Sequence, residues 1–198
     1  MTAPPIEFSA AGFHARELLP PELPQLQALF DANPQYFMLI SGAPPEPDEA
    51  QQEFDDRPPD FLAHGQRWFL GFFDAAQKLQ GLGVVVRDLG VTGVWQLALY
   101  FWADAWHGSG VPAAMHDALQ AWAEARGARW LRLGVVAGNA RAERFWQRLG
   151  YQEVRRRSGL AVGTRTHVVR ILVKPLHGQP VAAYLVRVPR DRPDSPLP

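Results

Sequence analysis

The chain contains no cysteine among its 198 residues and carries no formal net charge. The absence of cysteine excludes disulfides, thiolate catalysis and cysteine-based zinc sites, and it is typical of a reducing compartment, so we expect a cytoplasmic protein. Because 20 Lys and Arg residues balance 20 Asp and Glu residues, we do not expect a protein that mainly binds nucleic acid or an anionic membrane. Any basic site must be local, and no metal site is expected.

Long apolar runs are also missing. The first residues, MTAPPIEFSAAGFHARELLPPE, show no apolar stretch behind a basic start, and later apolar stretches are much shorter than a membrane span. These features predict neither a targeting peptide nor a membrane helix. The length fits one domain, which we place at residues 1–188, followed by a disordered proline-rich tail at residues 189–198.

Hydrophobic periodicity predicts helices that alternate with strands. Helices are predicted over residues 22–32, within EPDEAQQEFDD, from Val111 to just before Gly127, and over residues 139–150. Strands are predicted over residues 67–73 and 81–86 as a hairpin, then over residues 94–104, 130–136, from Tyr151 onward, and 167–175. Alternation over residues 181–188 predicts a further edge strand, which extends the sheet or pairs across a homodimer. This order predicts an α/β or α+β fold with a mixed sheet.

A glycine-containing loop, AWHGSGVPAAM, joins the strand over residues 94–104 to the next helix. Gly108 and Gly110 lack the Cβ atoms that keep a bound anion at a distance, and the helix directs the positive end of its dipole toward the loop. Pro112 is compatible with this reading, because the missing N–H of a first-turn proline has no helical partner. The same spacing also occurs in turns whose glycines have only a steric role, so its meaning depends on the neighbouring segments.

Two stretches, LALYFWADAWHGSGVPAAMHDAL and WLRLGVVAGNARAERFWQRLGYQEV, together resemble the GNAT acetyltransferase superfamily. Its hallmark is a strand, a Gln/Arg-x-x-Gly-x-Gly/Ala loop and a helix that bind acetyl-coenzyme A (acetyl-CoA). In this chain His107 stands at the Gln/Arg place, Gly110 at the central glycine and Pro112 at the last small residue. The family's Asn-x-x-Ala-x-x-Phe-Tyr-x-x-x-Gly-Phe pattern is matched by Asn139, Ala142, Phe145, Gly150 and Tyr151, with Trp146 at the tyrosine place.

The resemblance implies a mixed, mostly antiparallel sheet flanked by helices, in which two neighbouring strands splay apart and hold the cofactor. The backbone of Phe101, Trp102 and Ala103 would pair with the pantetheine arm. The pyrophosphate would lie on the amides of Gly108, Ser109, Gly110, Val111 and Ala113, with further cofactor contacts from His107, Asn139, Arg144 and Trp146. Asn139 is either the N-cap of the following helix or a contact to the cofactor arm, or both.

Other polar residues near these motifs have simpler readings. Arg141, Arg144 and Arg148 either reach the ribose phosphate or form a solvated basic face. His116 is expected at the surface or at an edge, and Asp104 as a turn residue.

A second likeness lies upstream. ANPQYFMLISGAPPEPDEA and DDRPPDF resemble a bacterial subgroup of the same family that has an Asn-Pro-x-Tyr-Phe segment and a Pro-Pro loop. This likeness implies that Asn33, Tyr36 and Phe37 lie on the acceptor side, although Tyr36 and Phe37 fit core packing equally well. The acidic stretch EPDEAQQEFDD suits a cationic acceptor or is simply solvated.

Catalysis in this family requires a free amine near the thioester and a route for its proton. The usual proton donor to sulfur is the tyrosine that Trp146 replaces here, and an indole N–H donates a hydrogen bond but does not transfer a proton near pH 7. Either Tyr151, Tyr100 or one of the acids Glu53, Asp55 and Asp56 acts instead, or the thiolate leaves unassisted.

Three hypotheses follow from these patterns. The first is an acetyl-CoA-dependent N-acetyltransferase that acts on an amine of a small molecule or a peptide. The second is a protein of the same fold that binds coenzyme A or a partner without turnover, which the departures at His107, Pro112 and Trp146 favour. The third, an unrelated nucleotide-binding protein, is disfavoured because no Walker-type lysine follows the glycines.

Overall fold

A computed structural model describes residues 4–197, so residues 1–3 and Pro198 lie outside the described part. Its centre is an eight-stranded sheet in the order β1-β2-β3-β4-β5-β6-β8-β7. The strands are β1 (Ile6–Ala10), β2 (Phe13–Glu17), β3 (Arg67–Phe73), β4 (Leu79–Val86), β5 (Val94–Trp102), β6 (Trp130–Val136), β7 (Gln152–Val162) and β8 (Arg165–Pro175). β5 and β6 are parallel and the other neighbours are antiparallel. The predicted mixed, mostly antiparallel sheet is therefore confirmed.

Helices cover both faces of this sheet. They are α1 (Leu23–Asp31), α2 (Gln35–Ile40), α3 (Glu49–Asp55), α4 (Val111–Glu124), α5 (Ala140–Arg148) and α6 (Val181–Arg187). Leu26 and Phe30 of α1 pack with Leu99 and Phe101 of β5 on what we call the α1 face. α4 and α5 pack on the opposite, α4 face. None of these helices, within residues 4–197, is long and apolar enough to cross a membrane.

The first hairpin and α2 are absent from the sequence-based prediction. β1 and β2 have only five residues each and are joined through Ala11 and Gly12, both of which have positive φ angles of 51° and 80°. Such a turn suits a hairpin, but an Ala-Gly pair between short strands gives little signal. α2 spans only six residues, too few for a helical period to stand out.

Residues 181–187 form helix α6 rather than the edge strand predicted over residues 181–188, which is a correction. The apolar residues Val181, Tyr184, Leu185 and Val188 recur at helical spacing as well as in partial alternation, so the local pattern is ambiguous. Burial decides between the two, because Tyr184 is fully buried and packs beside Trp130 of β6. The strand on which pairing across a homodimer was based is thus absent.

The predicted disorder of the C-terminal tail is also wrong for the described residues. Residues 189–191 form a 3₁₀ turn, and Asp191 is 0% exposed. A buried carboxylate needs charged or hydrogen-bonding partners, and Asp191 has them in Arg132 and Tyr184. The prediction was based on the low hydrophobicity of the tail, whereas the tail is held in place by the charge pair of Asp191 with Arg132. Pro198 lies outside the described residues.

Candidate active site

β5 and β6 diverge partway along their length. They pair only through Val94 with Trp130, Trp95 with Leu131 and Gln96 with Arg132. Farther along, residues up to Trp102 of β5 stay paired with β4, and residues up to Val136 of β6 stay paired with β8. An opening with strand backbone on both sides therefore forms in the middle of the sheet, as the resemblance implied.

A bulge in β5 lies at this opening. The pairing with β4 shifts between Val84, opposite Leu99, and Val85, opposite Leu97, so Ala98 is the extra residue. Ala98 is exposed although Leu97 and Leu99 are buried. A bulge leaves the ladder locally unpaired and re-aims its residues, so backbone groups around Ala98 are available to a molecule in the opening.

The glycine loop follows β5 and leads into α4. Gly108 has φ 80° and Gly110, the N-cap of α4, has φ 87°, a region in which residues with a Cβ are strained. A Cβ at either position would meet no other atom within 4 Å, so the space beside both glycines is open. Both glycines are thus required by backbone conformation and border free space.

Some backbone amides of the glycine loop already donate hydrogen bonds, and others have no acceptor within residues 4–197. The Ser109 amide donates to the Trp106 carbonyl (3.2 Å) and the Val111 amide to the Ser109 hydroxyl oxygen (3.2 Å). The amides of Gly108, Gly110 and Ala113 have no acceptor within residues 4–197. Of the five amides predicted to hold a phosphate, three are therefore free at the positive end of the α4 dipole.

Asp104 connects this loop to two other elements, so it is more than the turn residue we expected. Its amide donates to Oδ1 of Asn33 (2.8 Å), just after α1. Its carboxylate lies 3.1 Å from Nδ1 of His107 and 4.0 Å from the Arg141 guanidinium at the start of α5. Burial, followed by Arg141, lowers the pKa of His107 although Asp104 opposes this, so the imidazole is neutral at pH 7.

The start of α5 lies near the same loop. The side chain of Asn139 accepts from the Ala142 amide (3.2 Å) and so acts as the N-cap of α5, in agreement with one of its two predicted roles. Arg141, Arg144 and Arg148 are all exposed.

A cleft of about 600 Å³ opens between α2, the start of α5 and the β7–β8 hairpin. It is lined by Gln35, Met38, Leu39, Asn139, Arg141 and Arg165. The hairpin is held on α2 by the Thr164 amide, which donates to Ser41 (3.0 Å), and by the His167 imidazole, whose Nε2 lies 2.6 Å from the Ile40 carbonyl oxygen.

The predicted acceptor residues do not line this cleft. The Tyr36 and Phe37 rings pack against Phe101, with centroids 5.7 and 6.1 Å away. Asn33 is buried and donates to the Leu29 carbonyl (2.7 Å). Sequence reasoning missed Gln35, Met38 and Leu39, which helical spacing would have placed on the other side of α2 from Tyr36 and Phe37.

An aromatic cluster between α4 and α5 contains Trp146, which stands at the tyrosine place, and the two tyrosines considered for proton transfer to sulfur, Tyr100 and Tyr151. Trp146 is buried and packs beside Tyr100, His116 and Tyr151, with ring centroids 5.6, 5.7 and 5.2 Å away. The Tyr100 hydroxyl donates to the Pro112 carbonyl (2.6 Å). Burial raises the pKa values of both tyrosines far above the ordinary value, so both hydroxyls are protonated and engaged.

His116 is fully buried, which corrects the surface or edge placement we expected. Its Nε2 lies 2.9 Å from the Tyr151 hydroxyl oxygen. Burial, with a smaller effect of Lys174, lowers the pKa of His116 to about 3. A neutral imidazole with a tyrosine partner is tolerated among aromatic rings, and this pairing has no signal in local sequence.

The carboxyl group of Glu53, on α3, has a strongly raised pKa. Burial, then the nearby Asp56 and Glu49, raises its pKa to about 7, although Arg67 opposes this. Burial, then the charges of Glu53 and Glu49, raises the pKa of the Tyr36 hydroxyl far above its ordinary value. An open acidic cleft of about 460 Å³ is lined by Glu49, Gln52, Glu53, Asp55 and Asp56.

The fold is shared with solved acetyltransferase structures. An acetyltransferase from Thermus thermophilus superposes with a TM-score of 0.66 at 21% identity, over 84% of this chain and 98% of that one. Spermidine N-acetyltransferase from Vibrio cholerae, in complex with CoA and spermine, gives 0.65 at 15% identity over 84% and 96%. The ribosomal-protein-S18-alanine N-acetyltransferase from Escherichia coli gives 0.60 at 16% identity over 85% and 96%. The splayed sheet and the glycine loop thus define an acetyltransferase fold.

The family model of the acetyltransferase (GNAT) family matches residues 26–151. This stretch is more than half of the chain, and it includes residues 26–31 of α1, the diverging strands, the glycine loop and α5. The protein therefore belongs to the GNAT acetyltransferase family, as the two motifs indicated. No curated protein sequence matches the chain.

Proposed function

We propose that this protein is an acetyl-CoA-dependent N-acetyltransferase of the cytoplasm, with an amine of a small molecule or a peptide as acceptor. One observation carries the proposal: three free amides stand at the start of α4, beside an opening between two parallel strands. Amides at a helix N-terminus bind phosphate oxygens, and an unpaired strand edge binds an extended, amide-bearing chain. Family membership supports acetyl transfer as the reaction.

The residues present fit the cofactor. Gly108, Gly110 and Ala113 would donate to the pyrophosphate, and the backbone of residues 101–103 would pair with the pantetheine arm. The exposed Arg144 would reach the ribose phosphate, while His107, Asn139 and Trp146 would border the arm. Because backbone amides rather than a charged side chain would hold the pyrophosphate, its binding would rely on aligned dipoles more than on charge.

When bound, acetyl-CoA supplies the thioester whose acetyl group is transferred. The chain must then accept the proton of the acceptor, since an alkylammonium of pKa ~10.4 is almost wholly protonated at neutral pH. We assign this role to Glu53, whose raised pKa of about 7 leaves a large fraction of base at neutral pH. Glu53 lies on α3, which packs against α1, and its charge raises the pKa of Tyr36, whose ring packs on Phe101 in the diverging part of β5.

No phenol is needed as an acid in this proposal. Tyr100 and Tyr151 are engaged with Pro112 and His116, and Trp146 cannot release a proton near pH 7. A thiol of pKa about 8.5 ionises readily, so its thiolate is a stable leaving group. Positioning supplies much of the remaining barrier reduction, roughly 7–11 kcal/mol in favourable cases.

The acceptors named for the related structures differ widely. Spermidine is a polyamine, whereas the ribosomal-protein enzyme acts on an alanine of a protein. The fold alone therefore leaves the acceptor open, and membership of the bacterial subgroup with an Asn-Pro-x-Tyr-Phe segment remains a prediction.

Thermal shift with acetyl-CoA, followed by thiol release on a panel of amines, tests the proposal. We expect stabilisation by the cofactor and thiol release with at least one amine. Absence of stabilisation at millimolar cofactor would overturn it. Stabilisation without thiol release on any amine would favour the second candidate, a coenzyme A-binding protein without turnover, which the burial of Trp146 at the tyrosine place supports.

A further inference from the structure

The cleft between α2, the start of α5 and the β7–β8 hairpin carries charge of one sign. Two of its lining residues are cationic, Arg141 at the start of α5 and Arg165 at the start of β8, and within residues 4–197 none is acidic. Both side chains are exposed, so a ligand in the cleft can contact them directly. The volume of about 600 Å³ lies in the usual range for small-molecule sites.

The charge of Arg141 is only partly offset by its neighbours. Its Nη1 lies 4.0 Å from Oδ1 of Asp104, and the same oxygen lies 3.1 Å from Nδ1 of His107. At 4.0 Å the two groups attract each other but are too far apart for a hydrogen bond. Because Arg141 donates no hydrogen bond within the described part of the chain, its N–H groups are available to a ligand.

Arg165 is held against the end of α2 and still keeps free donors. Its Nη1 donates to the Leu39 carbonyl oxygen (3.3 Å). Its stem lies beside Gly42, where a Cβ would stand 3.0 Å from Nε and 3.3 Å from Cγ of the arginine. Among residues 4–197 it makes no ion pair. Since a guanidinium group has five N–H donors, most of those of Arg165 remain for a ligand.

The other lining residues supply an apolar wall and two amide groups. Met38 is 43% exposed and Leu39 is half-buried, so the side of α2 toward the cleft is apolar. Gln35 adds one amide, and Asn139 adds a second, whose Oδ1 already serves as the N-cap of α5. An anionic oxygen group attached to an apolar segment would complement these surfaces.

The cleft adjoins the open end of the diverging strands. β5 and β6 are parallel, so their carboxyl ends lie at the same edge of the sheet. Asn139 follows the end of β6 by three positions, and Asp104, beside Arg141, follows the end of β5 by two. A molecule bound between the two guanidinium groups can therefore extend toward the opening.

This position distinguishes the cleft from the sites assigned to the cofactor phosphates. The free amides of Gly108, Gly110 and Ala113 stand at the start of α4, on the α4 face. The apolar wall of the cleft belongs to α2, whose Phe37 packs against Phe101 on the α1 face. The acidic cleft of α3 shares no lining residue with it. The cleft thus complements a second anionic ligand.

We propose that this cleft binds an anionic oxygen group of the acceptor, so that the acceptor is an amine that also carries a carboxylate or a phosphate. Arg141 and Arg165 would donate to that group through charge-assisted hydrogen bonds. Met38 and Leu39 would cover the segment that leads to the amine. The word acceptor rests on the proposed function, whereas binding of the anionic group requires no turnover.

Binding to the full chain is measured by calorimetry, with and without coenzyme A, at constant ionic strength in chloride. The probes are straight-chain amines that end in a carboxylate, a phosphate, a carboxamide or a second amine, in a series of increasing length. We expect an anionic probe to bind at least about tenfold more tightly than the carboxamide of the same length. R165Q and R141Q should each remove most of this preference.

Two further variants serve as controls. Arg129 is exposed just before β6 and does not line the cleft, so R129Q should keep the full preference. R165K keeps the charge but loses the planar fork, and it should keep part of the preference. If Arg165 only held the hairpin on α2, R165Q would weaken the anionic and carboxamide probes equally, and the proposal would be wrong.

Three other outcomes would overturn the proposal. The first is equal binding of anionic and carboxamide probes at every length, or tighter binding of the diamines. The second is a preference that survives in both R165Q and R141Q, which would place the anionic group elsewhere. The third is a tenfold loss of acetyl-CoA affinity in R165Q, which would assign this guanidinium group to the cofactor.

Thiol release separates this inference from the proposed function. Turnover of amines without any preference for an anionic group would leave the acetyltransferase proposal intact and overturn the one made here. Selective binding of anionic amines through Arg165 without turnover of any amine would do the reverse.

Discussion

The Nε2 atom of His116 and the hydroxyl oxygen of Tyr151 lie 2.9 Å apart in the interior, between α4 and the start of β7. Both side chains are buried, and the histidine is uncharged because burial lowers its pKa to about 3. The pair fills the space behind Trp146 with aromatic surface and one hydrogen bond. Through these ring contacts the pair packs α4 against Trp146 of α5.

This pair predicts a pH dependence of stability. The folded-state pKa of His116 is depressed, so below the unfolded value of ~6.5 the unfolded chain takes up a proton that the folded chain does not. The contribution of His116 to stability must then fall by about 2 kcal/mol between pH 7 and pH 5, whereas the raised pKa of Glu53 acts in the opposite sense over the same range. Glu53 is common to the wild type and His116→Gln, so the difference between their unfolding free energies in urea isolates the histidine, and we expect this difference to decrease by about 2 kcal/mol from pH 7 to pH 5. A difference that is the same at both pH values would contradict the prediction.

Removal of the two buried hydroxyls should leave catalysis almost unchanged. In Tyr100→Phe and Tyr151→Phe we expect kcat to stay within about threefold, whereas loss of a general acid typically costs about a hundredfold or more. Stability should fall instead, by about 1–3 kcal/mol in Tyr151→Phe, since His116 loses its partner. A hundredfold drop of kcat in either variant would restore that tyrosine as the acid.

The glycine loop offers a matched pair of substitutions on one helix. Gly110 precedes α4 with φ 87°, and Gly127 follows its end with φ 96°; neither would bring a Cβ within 4 Å of another atom. Alanine at either position costs about 1–2 kcal/mol of stability for the left-handed conformation. Cofactor affinity should fall about tenfold or more in Gly110→Ala only, as measured by titration with acetyl-CoA. Equal affinities for acetyl-CoA in the two variants would show that the glycine loop does not bind the cofactor.

Glu53 should impose a pH profile on the reaction. As a base it works when deprotonated, so kcat/KM should rise with pH through a midpoint near the raised pKa of about 7. Glu53→Gln should lower kcat about a hundredfold and remove this rise.

Asp55→Asn provides the control for Glu53. Asp55 is an exposed residue of the same helix and the same acidic cleft, so its variant should keep both the rate and the profile. An unchanged profile in Glu53→Gln would exclude this residue as the base.

Asp191 anchors the C-terminal segment. Its replacement by asparagine leaves Arg132 buried without its charged partner, and we expect a loss of about 3–5 kcal/mol, as for other broken buried pairs. Asp194→Asn, in the exposed part of the same tail, should change stability by less than about 0.5 kcal/mol.

The same pair also has a pH signature. Burial would raise the pKa of Asp191, but the hydrogen bonds and charge of Arg132 outweigh this and lower it. Its contribution to stability is therefore complete above about pH 4 and is lost only as the pH falls below that value. Chemical denaturation of the wild type and both variants measures these differences.

The sequence by itself determined the order of β3 to β8 and of α1, α3, α4 and α5, the glycine loop before α4, and membership of the family. These features depend on local patterns, because hydrophobic period, glycine and capping residues act within a few positions of one another. Asn139 illustrates this point, since its N-cap role follows from its place before a helical period.

Only the tertiary structure decided where β5 and β6 part, which loop amides stay free, and that residues 181–187 are helical. It also brought together His116 with Tyr151, and Arg132 with Asp191, which are 35 and 59 positions apart in the chain. Such pairings are set by which polar groups are buried together, and burial depends on the packing of distant elements. A histidine on α4 or an aspartate in a proline-rich tail has no local pattern that names its partner.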